Sequence, residues 1–209
     1  GNVGLGYATL TGNTTADNNT ALGNRAMQNS STGADNTAVG HYSLFSNTTG
    51  EHNTAVGALA LDANTTGSES VAVGRYALSA ATTGSHNTAV GYAALINATT
   101  ANYNTTVGRS ALYATTGGSN VGIGYEALDA NTTAESCVGV GRGALGANTT
   151  GDQNVAMGRD AGINLTTGAN NVCIGYDSGA PAGDTSNSFT LGNGNIDNLR
   201  CADTSISSL

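Results

Sequence analysis

Apolar residues followed by glycine recur at a fixed interval along almost the whole chain. The marker glycines are Gly6, Gly23, Gly40, Gly57, Gly74, Gly91, Gly108, Gly124, Gly141, Gly158, Gly175 and Gly192. Every step is 17 residues, except the 16-residue step from Gly108 to Gly124, where the loop at Thr115 and Thr116 is shorter. A period of this length predicts a solenoid, in which each repeat forms one coil and the coils stack on each other.

The three residues before each marker glycine alternate between large and small side chains. In 54–56 (Thr-Ala-Val) and 138–140 (Val-Gly-Val), the outer residues are β-branched and the middle residue is Ala or Gly. Alternation with a period of two predicts a short strand, with a closely packed neighbour on the side of the small residues.

A second apolar position follows each predicted strand. Leucine stands four residues past the marker glycine at Leu44, Leu61, Leu78, Leu95, Leu112, Leu128 and Leu145. This position predicts a second short strand in each coil. The sequence Asn-Thr-Thr-Gly, as at 47–50 and 64–67, then predicts a tight corner. We expect Asn and Gly to adopt left-handed backbone conformations there, and Thr to hydrogen-bond back to the chain.

A single coil of this kind is not stable alone, because ordering it costs about 1.5 kcal/mol per residue and few apolar side chains are buried. Stacking pairs each strand with its equivalents in a parallel ladder that rises about 4.8 Å per coil, so the array predicts a rod of roughly 50 Å. Asn and Thr ladders suit this geometry. Because the coil has little interior, one face of the strand is left uncovered, which favours lateral association, most simply around a threefold axis.

Composition and charge narrow the class of partner. The chain contains 31 Gly, one Pro and no Trp, and only 10% of its residues are charged. Its regular apolar columns argue against disorder. The net charge of −8 argues against a nucleic-acid partner, because phosphate binding needs Lys and Arg. No apolar run reaches membrane-spanning length and no signal-peptide pattern is present, so we expect no membrane insertion. The strand pattern begins at Asn2, from which we expect a segment of a longer chain.

Few residues are candidates for catalysis or for metal binding. The chain has three cysteines at different positions of the repeat, Cys137, Cys173 and Cys201. Cys137 stands in the Asn column and Cys173 in the column of small residues, which favours a structural role, with a bridge between chains as the alternative. The histidines are His41, His52 and His86, and none pairs with Cys or another His at metal-ligand spacing. The acidic residues after the Thr-Thr turn are Glu51, Glu69, Glu135 and Asp152. A solvated edge of this kind does not give two carboxylates the different environments that catalysis needs. We therefore predict no catalytic site, no cofactor and no metal.

One column of the repeat is a candidate surface for contacts. The residues directly after the marker glycines include Tyr7, His41, Arg75, Tyr92, Arg109, Tyr125, Arg142, Arg159 and Tyr176. Tyr and Arg are favoured at binding sites, so this candidate column is the surface on which ligand contacts are to be sought. The interpretation that we favour is that these side chains stack from coil to coil, on a solvated face or at an interface between chains.

The pattern Asn-Thr-Ala-Val-Gly-x-x-Ala-Leu resembles the Ser-Val-Ala-Ile-Gly-type repeat in the head of trimeric autotransporter adhesins. The resemblance covers residues 1 to about 192, although the coil is longer here because of the Asn-Thr-Thr-Gly turn. It implies a left-handed parallel β-roll of three chains, with the apolar strand residues at the trimer centre.

Long arrays of this type also resemble the shafts of phage tail fibres. Many of those fibres carry a C-terminal intramolecular chaperone that trimerises the fibre and then cleaves itself off. The period stops after Gly192, and residues 193–209 are similar to the segment that leads into such a chaperone. The resemblance implies a shaft over 1–192, a cap or tip over 193–209, and a mature rod that is not an enzyme.

The expected fold class is therefore all-β, a parallel β-solenoid (β-roll) of 17-residue coils assembled as a three-chain fibre. The leading functional hypothesis is an extracellular, homotrimeric phage tail fibre that attaches to a host cell-surface receptor, either glycan or protein. A cellular trimeric surface adhesin or extracellular filament is the first alternative, and a membrane-anchor domain elsewhere in the chain would favour it. An ice-binding solenoid is the second; against it, the turn threonines Thr48 and Thr49 are adjacent and point in different directions.

Overall fold

The computed structural model describes residues 1–195, which form an all-β fold with one strand per repeat. The strands are β1 (Val3–Leu5), β2 (Thr20–Leu22), β3 (Thr37–Val39), β4 (Thr54–Val56), β5 (Val71–Val73), β6 (Thr88–Val90), β7 (Thr105–Val107), β8 (Val121–Ile123), β9 (Val138–Val140), β10 (Val155–Met157), β11 (Val172–Ile174) and β12 (Phe189–Leu191). Each strand ends directly before a marker glycine. The predicted position of the strand in the repeat is therefore confirmed.

The strands form a single 12-stranded parallel sheet in chain order. Equivalent residues pair, so that Ala38 lies beside Ala55, and Ala55 beside Ala72. The register also continues through the shorter coil, where Thr105 pairs with Val121. The predicted parallel β-solenoid is confirmed, and at about 4.8 Å per strand it forms a rod of roughly 50 Å.

The interior of each coil is narrow and is filled by small residues and one larger apolar side chain. The middle residue of the strand is fully buried, as at Ala55 and Ala72, and so are the following leucines, such as Leu61 and Leu78. The predicted close packing on the small side is confirmed. A Cβ atom added to Gly122, in the middle of β8, would lie 3.1 Å from Cγ of Leu112.

The leucines after the marker glycines do not form a second strand, so that prediction was wrong. Leu44 and Leu61 lie in a turn, with left-handed φ angles of 49° and 50°. The residue two positions earlier is also left-handed, as at Leu59, where φ is 59°. Left-handed residues at alternate positions curl the backbone instead of extending it. This turn places the leucine side chain in the core, where Leu44 and Leu61 are completely buried.

The Asn-Thr-Thr-Gly corner also differs from expectation, because residues 47–50 have no left-handed φ. The positive φ angles lie instead at the marker glycine, for example 135° at Gly57, and five residues before it, for example 58° at His52. Close approach of the next coil favours a small residue at the end of the corner. A Cβ atom on Gly50 would lie 2.3 Å from the carbonyl oxygen of Gly67.

Polar ladders join each coil to the next, as predicted for the Asn and Thr columns. Inside the coil, Asn36 Nδ2 donates to the carbonyl oxygen of Gly50 at 2.8 Å, and its Oδ1 accepts from the backbone N–H of Asn53 at 2.8 Å. At the corner, the hydroxyl of Thr48 donates to the carbonyl oxygen of Thr65 at 2.9 Å. These bonds satisfy polar groups that the narrow coil buries.

The described part of the chain contains no helix, and therefore no helix long and apolar enough to cross a membrane. The solenoid extends through β12 to the last marker glycine, Gly192. The cap or tip expected over 193–209 lies outside the described residues beyond 195, so its existence stays a prediction.

Candidate functional site

One face of the sheet, which we call the sheet face, points away from the core. It carries the first and third residues of every strand, while the middle residues point inward. Several large apolar side chains are exposed on it, including Val107 at 40%, Ile123 at 38% and Met157 at 46%. The core of the single chain does not use these side chains. The sheet face is therefore a continuous, partly apolar surface along the whole rod.

The candidate column lies along one side of the sheet face, just past the C-terminal ends of the strands, and its nine members are all exposed. Side chains one position further along the repeat join it at several coils. We call the candidate column, together with the charged and aromatic residues at the next position (Arg25, Tyr42, Tyr76, Glu126, Asp160 and Asp177), the arginine–tyrosine rim. Several members of this rim contact each other along the rod.

Arginines and tyrosines of successive coils stack on each other between β5 and β8. The guanidinium carbon of Arg109 lies 5.8 Å from the ring centre of Tyr92 and 5.4 Å from that of Tyr125. Tyr92 packs edge-on against Tyr76, with 6.0 Å between ring centres, and the guanidinium carbon of Arg75 lies 4.6 Å from the ring centre of Tyr76. The coil-to-coil stacking considered from the sequence is therefore present.

A second cluster on the rim surrounds Asp160. Its Oδ2 atom lies 3.0 Å from Nη2 of Arg142 and 3.4 Å from Nε of Arg159. The guanidinium carbon of Arg159 also lies 4.2 Å from the ring centre of Tyr176. Each guanidinium has five N–H donors, so one shared carboxylate leaves donors free for further acceptors.

Acidic residues line the other side of the sheet face, just before the N-terminal ends of the strands. They are Asp17, Asp35, Glu51, Glu69, Glu135 and Asp152, and all are exposed. We call this line the acidic rim. On it, Oε2 of Glu69 lies 3.3 Å from Nδ1 of His86, and the ring of His86 stacks on Tyr103 with 4.9 Å between ring centres. A hollow of about 250 Å³ lies beside it, with Tyr103 and Glu135 in its lining.

Arginine is confined to one of these two rims within the described residues. Every arginine among residues 1–195 lies on the arginine–tyrosine rim, and the sequence contains no lysine. Sequence reasoning treated the arginines and the acidic residues as separate columns and missed that they flank the same strands. The signal was available, because the period places both sets at fixed offsets from the marker glycine.

The two cysteines within the described residues are buried inside the coil. Cys137 takes the place of an asparagine in the inner ladder, with its Sγ atom 3.2 Å from the carbonyl oxygen of Gly151, whereas Cys173 is the middle residue of β11. Burial raises the pKa of both thiols. Cys201 lies outside the described residues. Within 1–195, no three His, Cys, Asp or Glu side chains come close enough together to hold a metal ion.

In comparisons with known proteins, no protein-family model, no curated protein and no solved structure matched this chain.

Proposed function

We propose that this chain is a non-enzymatic structural fibre that assembles as a homotrimer and serves attachment to a host cell. The observation that carries the proposal is the sheet face. It runs over all twelve strands of the described rod and exposes Ile123, Met157 and Ile174 to between 37% and 46%. Monomeric soluble proteins rarely keep a contiguous apolar surface of this extent. Covering it with other copies would contribute roughly 25 cal/mol per Å² of apolar area.

Threefold symmetry suits the shape of this face. Each strand has three residues, so the face is only about 10 Å wide at about 3.3 Å per residue. Three such strips around one axis would enclose a slender common core along the full rod. The resemblance of the repeat to trimeric adhesin heads favours the same number of chains, with the apolar strand residues at the centre.

A trimeric rod of this kind would display a receptor-binding surface or hold one away from the particle that carries it. The resemblance to tail-fibre shafts favours an extracellular virion fibre whose receptor is a glycan or protein of the host surface. A cellular trimeric adhesin or extracellular filament is the alternative with the same rod. Binding of the labelled rod to intact bacterial cells, compared with its binding to spheroplasts that have lost the outer envelope, would test the attachment role. Binding to intact cells alone would support it, and no binding to intact cells of any candidate host would contradict it.

Assembly is tested by placing a charge on the sheet face. Val107→Asp would bury a carboxylate at the centre of the trimer, so we expect a trimer-to-monomer change in light scattering at micromolar concentration, with the β-rich circular dichroism retained. The matched control is Thr49→Asp, on the exposed corner away from the sheet face, which should stay trimeric. An unchanged mass for Val107→Asp would contradict the proposal.

A specific observation favours ice binding as a second candidate. The first strand residues Thr37 and Thr54 pair across neighbouring coils on the sheet face, so these threonines point in the same direction, unlike the adjacent threonines of the corner. Ice binding would require this face to be free, whereas the fibre requires it to be covered. Thermal hysteresis by the isolated chain, together with a monomeric mass, would favour the second candidate.

A further inference from the structure

We infer that the arginine–tyrosine rim of one copy contacts the acidic rim of the next copy, with the copies parallel and in the same register. This inference rests on the proposed assembly through the sheet face and identifies the contacts that would flank it. The partner is a second copy of this chain, and the contacts are ion pairs between guanidinium and carboxylate groups.

The two rims have symmetric positions on either side of the sheet face. The acidic rim lies two or three residues before the first residue of a strand, and the arginine–tyrosine rim lies two or three residues after the last residue. Each strand therefore runs from the acidic rim to the arginine–tyrosine rim. Any assembly that buries the sheet face brings these rims to the edges of the contact between copies.

Arginine and acidic residue occur together on several of the same strands. Glu69 and Arg75 flank β5, and Glu135 and Arg142 flank β9. The same holds at β10, with Asp152 before the strand and Arg159 after it, and at β2, with Asp17 and Arg25. In a parallel assembly with equal register, the charges of neighbouring copies would therefore meet at the same height along the rod.

Within one chain the charges on the two rims do not neutralise each other. The ion pairs of Arg142 and Arg159 are made with Asp160, on their own rim. No ion pair among residues 1–195 joins an arginine to Glu135 or Asp152. Asp152 accepts one hydrogen bond at Oδ1 from the N–H of Glu135. The remaining carboxylate oxygens of Glu135 and Asp152 are thus available as acceptors for guanidinium groups of a neighbouring copy.

The charge pattern also selects the direction of assembly. Rotation about an axis parallel to the rod places the C-terminal side of each sheet face against the N-terminal side of its neighbour, so that arginine meets carboxylate. Rotation about an axis along the strands reverses the rod and places arginine against arginine. Like charges at an interface disfavour the second arrangement, and only the first keeps equivalent coils at equal height.

The decisive experiment compares Glu135→Arg, Arg142→Glu and the double variant of the full chain by light scattering over a concentration series in low-salt buffer. Each single change creates like-charge contacts at every interface of a cyclic assembly. We expect each to raise the concentration for half-assembly roughly tenfold. The double variant should return to within about threefold of the unmodified protein, because the reversed charges attract again.

Arg109→Glu is the matched control, because Asn102 and Tyr103 occupy the acidic-rim positions of its strand, β7. It should change the half-assembly concentration less than Arg142→Glu does. If the unmodified protein assembles but Glu135→Arg has no effect, or the double variant gives no rescue, this inference is overturned and the fibre stands. Stronger assembly of Arg142→Glu would indicate antiparallel copies. A monomeric unmodified protein would overturn the fibre and this inference together.

Discussion

At the scale of single residues, the coil places apolar side chains in conformations that they seldom adopt. Leu61 and Leu78 have φ angles of 50° and 52°, a left-handed region that costs a residue with a Cβ atom roughly 1–2 kcal/mol. Full burial of a leucine side chain contributes roughly 1.5–3 kcal/mol, which offsets this cost. Burial therefore decides the backbone conformation of this turn, and side-chain size alone would not have indicated it.

A buried hydroxyl without a partner gives a prediction at this scale. Thr106, the middle residue of β7, is fully buried, and its Oγ1 atom has no hydrogen-bond partner among the described residues. Thr106→Val removes this hydroxyl and keeps the shape, so the free energy of unfolding should rise by about 1 kcal/mol. Urea denaturation would measure the change. Thr105→Val, on the exposed neighbour, controls for strand propensity, and a lower midpoint for Thr106→Val than for this control would refute the prediction.

At the scale of elements, the asparagine ladder joins neighbouring coils to each other, as the paired strands do. In the inner ladder, Asn53 donates from Nδ2 to the carbonyl oxygen of Gly67 at 2.8 Å and accepts at Oδ1 from the N–H of Ser70 at 3.0 Å. Both bonds join Asn53 to the following coil, and both lie in the buried interior. The side-chain amide of Asn53 therefore holds neighbouring coils together, a role that apolar side chains fill in folds with a larger hydrophobic core.

Loss of this link should weaken the rod. Asn53→Ala leaves the N–H of Ser70 buried without a partner, which should lower the free energy of unfolding by about 2–3 kcal/mol. The matched control is Asn29→Ala, because Asn29 is exposed, and its effect should stay within about 0.5 kcal/mol. Chemical denaturation of both variants would measure the difference. Equal midpoints would show that the inner ladder does not contribute to stability.

The sequence predicted the period, the strand and the ladders because these follow from side-chain size and hydrogen-bonding capacity at fixed spacing. It failed at Leu61 and at Gly50, where the backbone conformation depends on the neighbouring coil and not on local residue type. For the candidate column, the sequence identified the members but not their partners. The stacking of Arg109 between Tyr92 and Tyr125 depends on contacts across coils, which a one-dimensional pattern does not specify.

At the scale of the whole molecule, the rod combines a narrow core with an uncovered sheet, and the arginines of the described residues lie along one side of that sheet. Each coil contacts only the coils before and after it, so stability accumulates along the rod from interfaces between neighbours. The same repetition carries every surface feature along the full length. A small favourable contact made by one coil with a neighbouring copy, whether apolar or between charges, is therefore repeated at many coils in any lateral assembly.

Two aspartates predict how stability depends on pH. Burial raises the pKa of Asp62, which accepts a hydrogen bond from Ser79, and burial together with Glu126 raises that of Asp129. Protonation is then easier in the folded state than in the unfolded state, where the pKa has its ordinary value of 3.8. The contribution of these two groups to stability should therefore rise as pH falls from neutrality through the raised pKa, and this gain should be complete below 3.8.

Urea midpoints between pH 7 and about pH 4 would measure this dependence. The double variant Asp62→Asn and Asp129→Asn should be more stable than the unmodified protein at pH 7, and its midpoint should change less with pH. A steady loss of stability on acidification, equal in both proteins, would contradict the assignment of the effect to these two carboxyl groups.

The solution mass of residues 1–209, measured by multi-angle light scattering over a concentration series, distinguishes a trimeric fibre from a free-standing solenoid. We expect a stable species of three times 20.5 kDa, with the sheet faces covered at its centre. A folded species of 20.5 kDa at all concentrations would contradict this expectation, because the sheet face would then be free in solution.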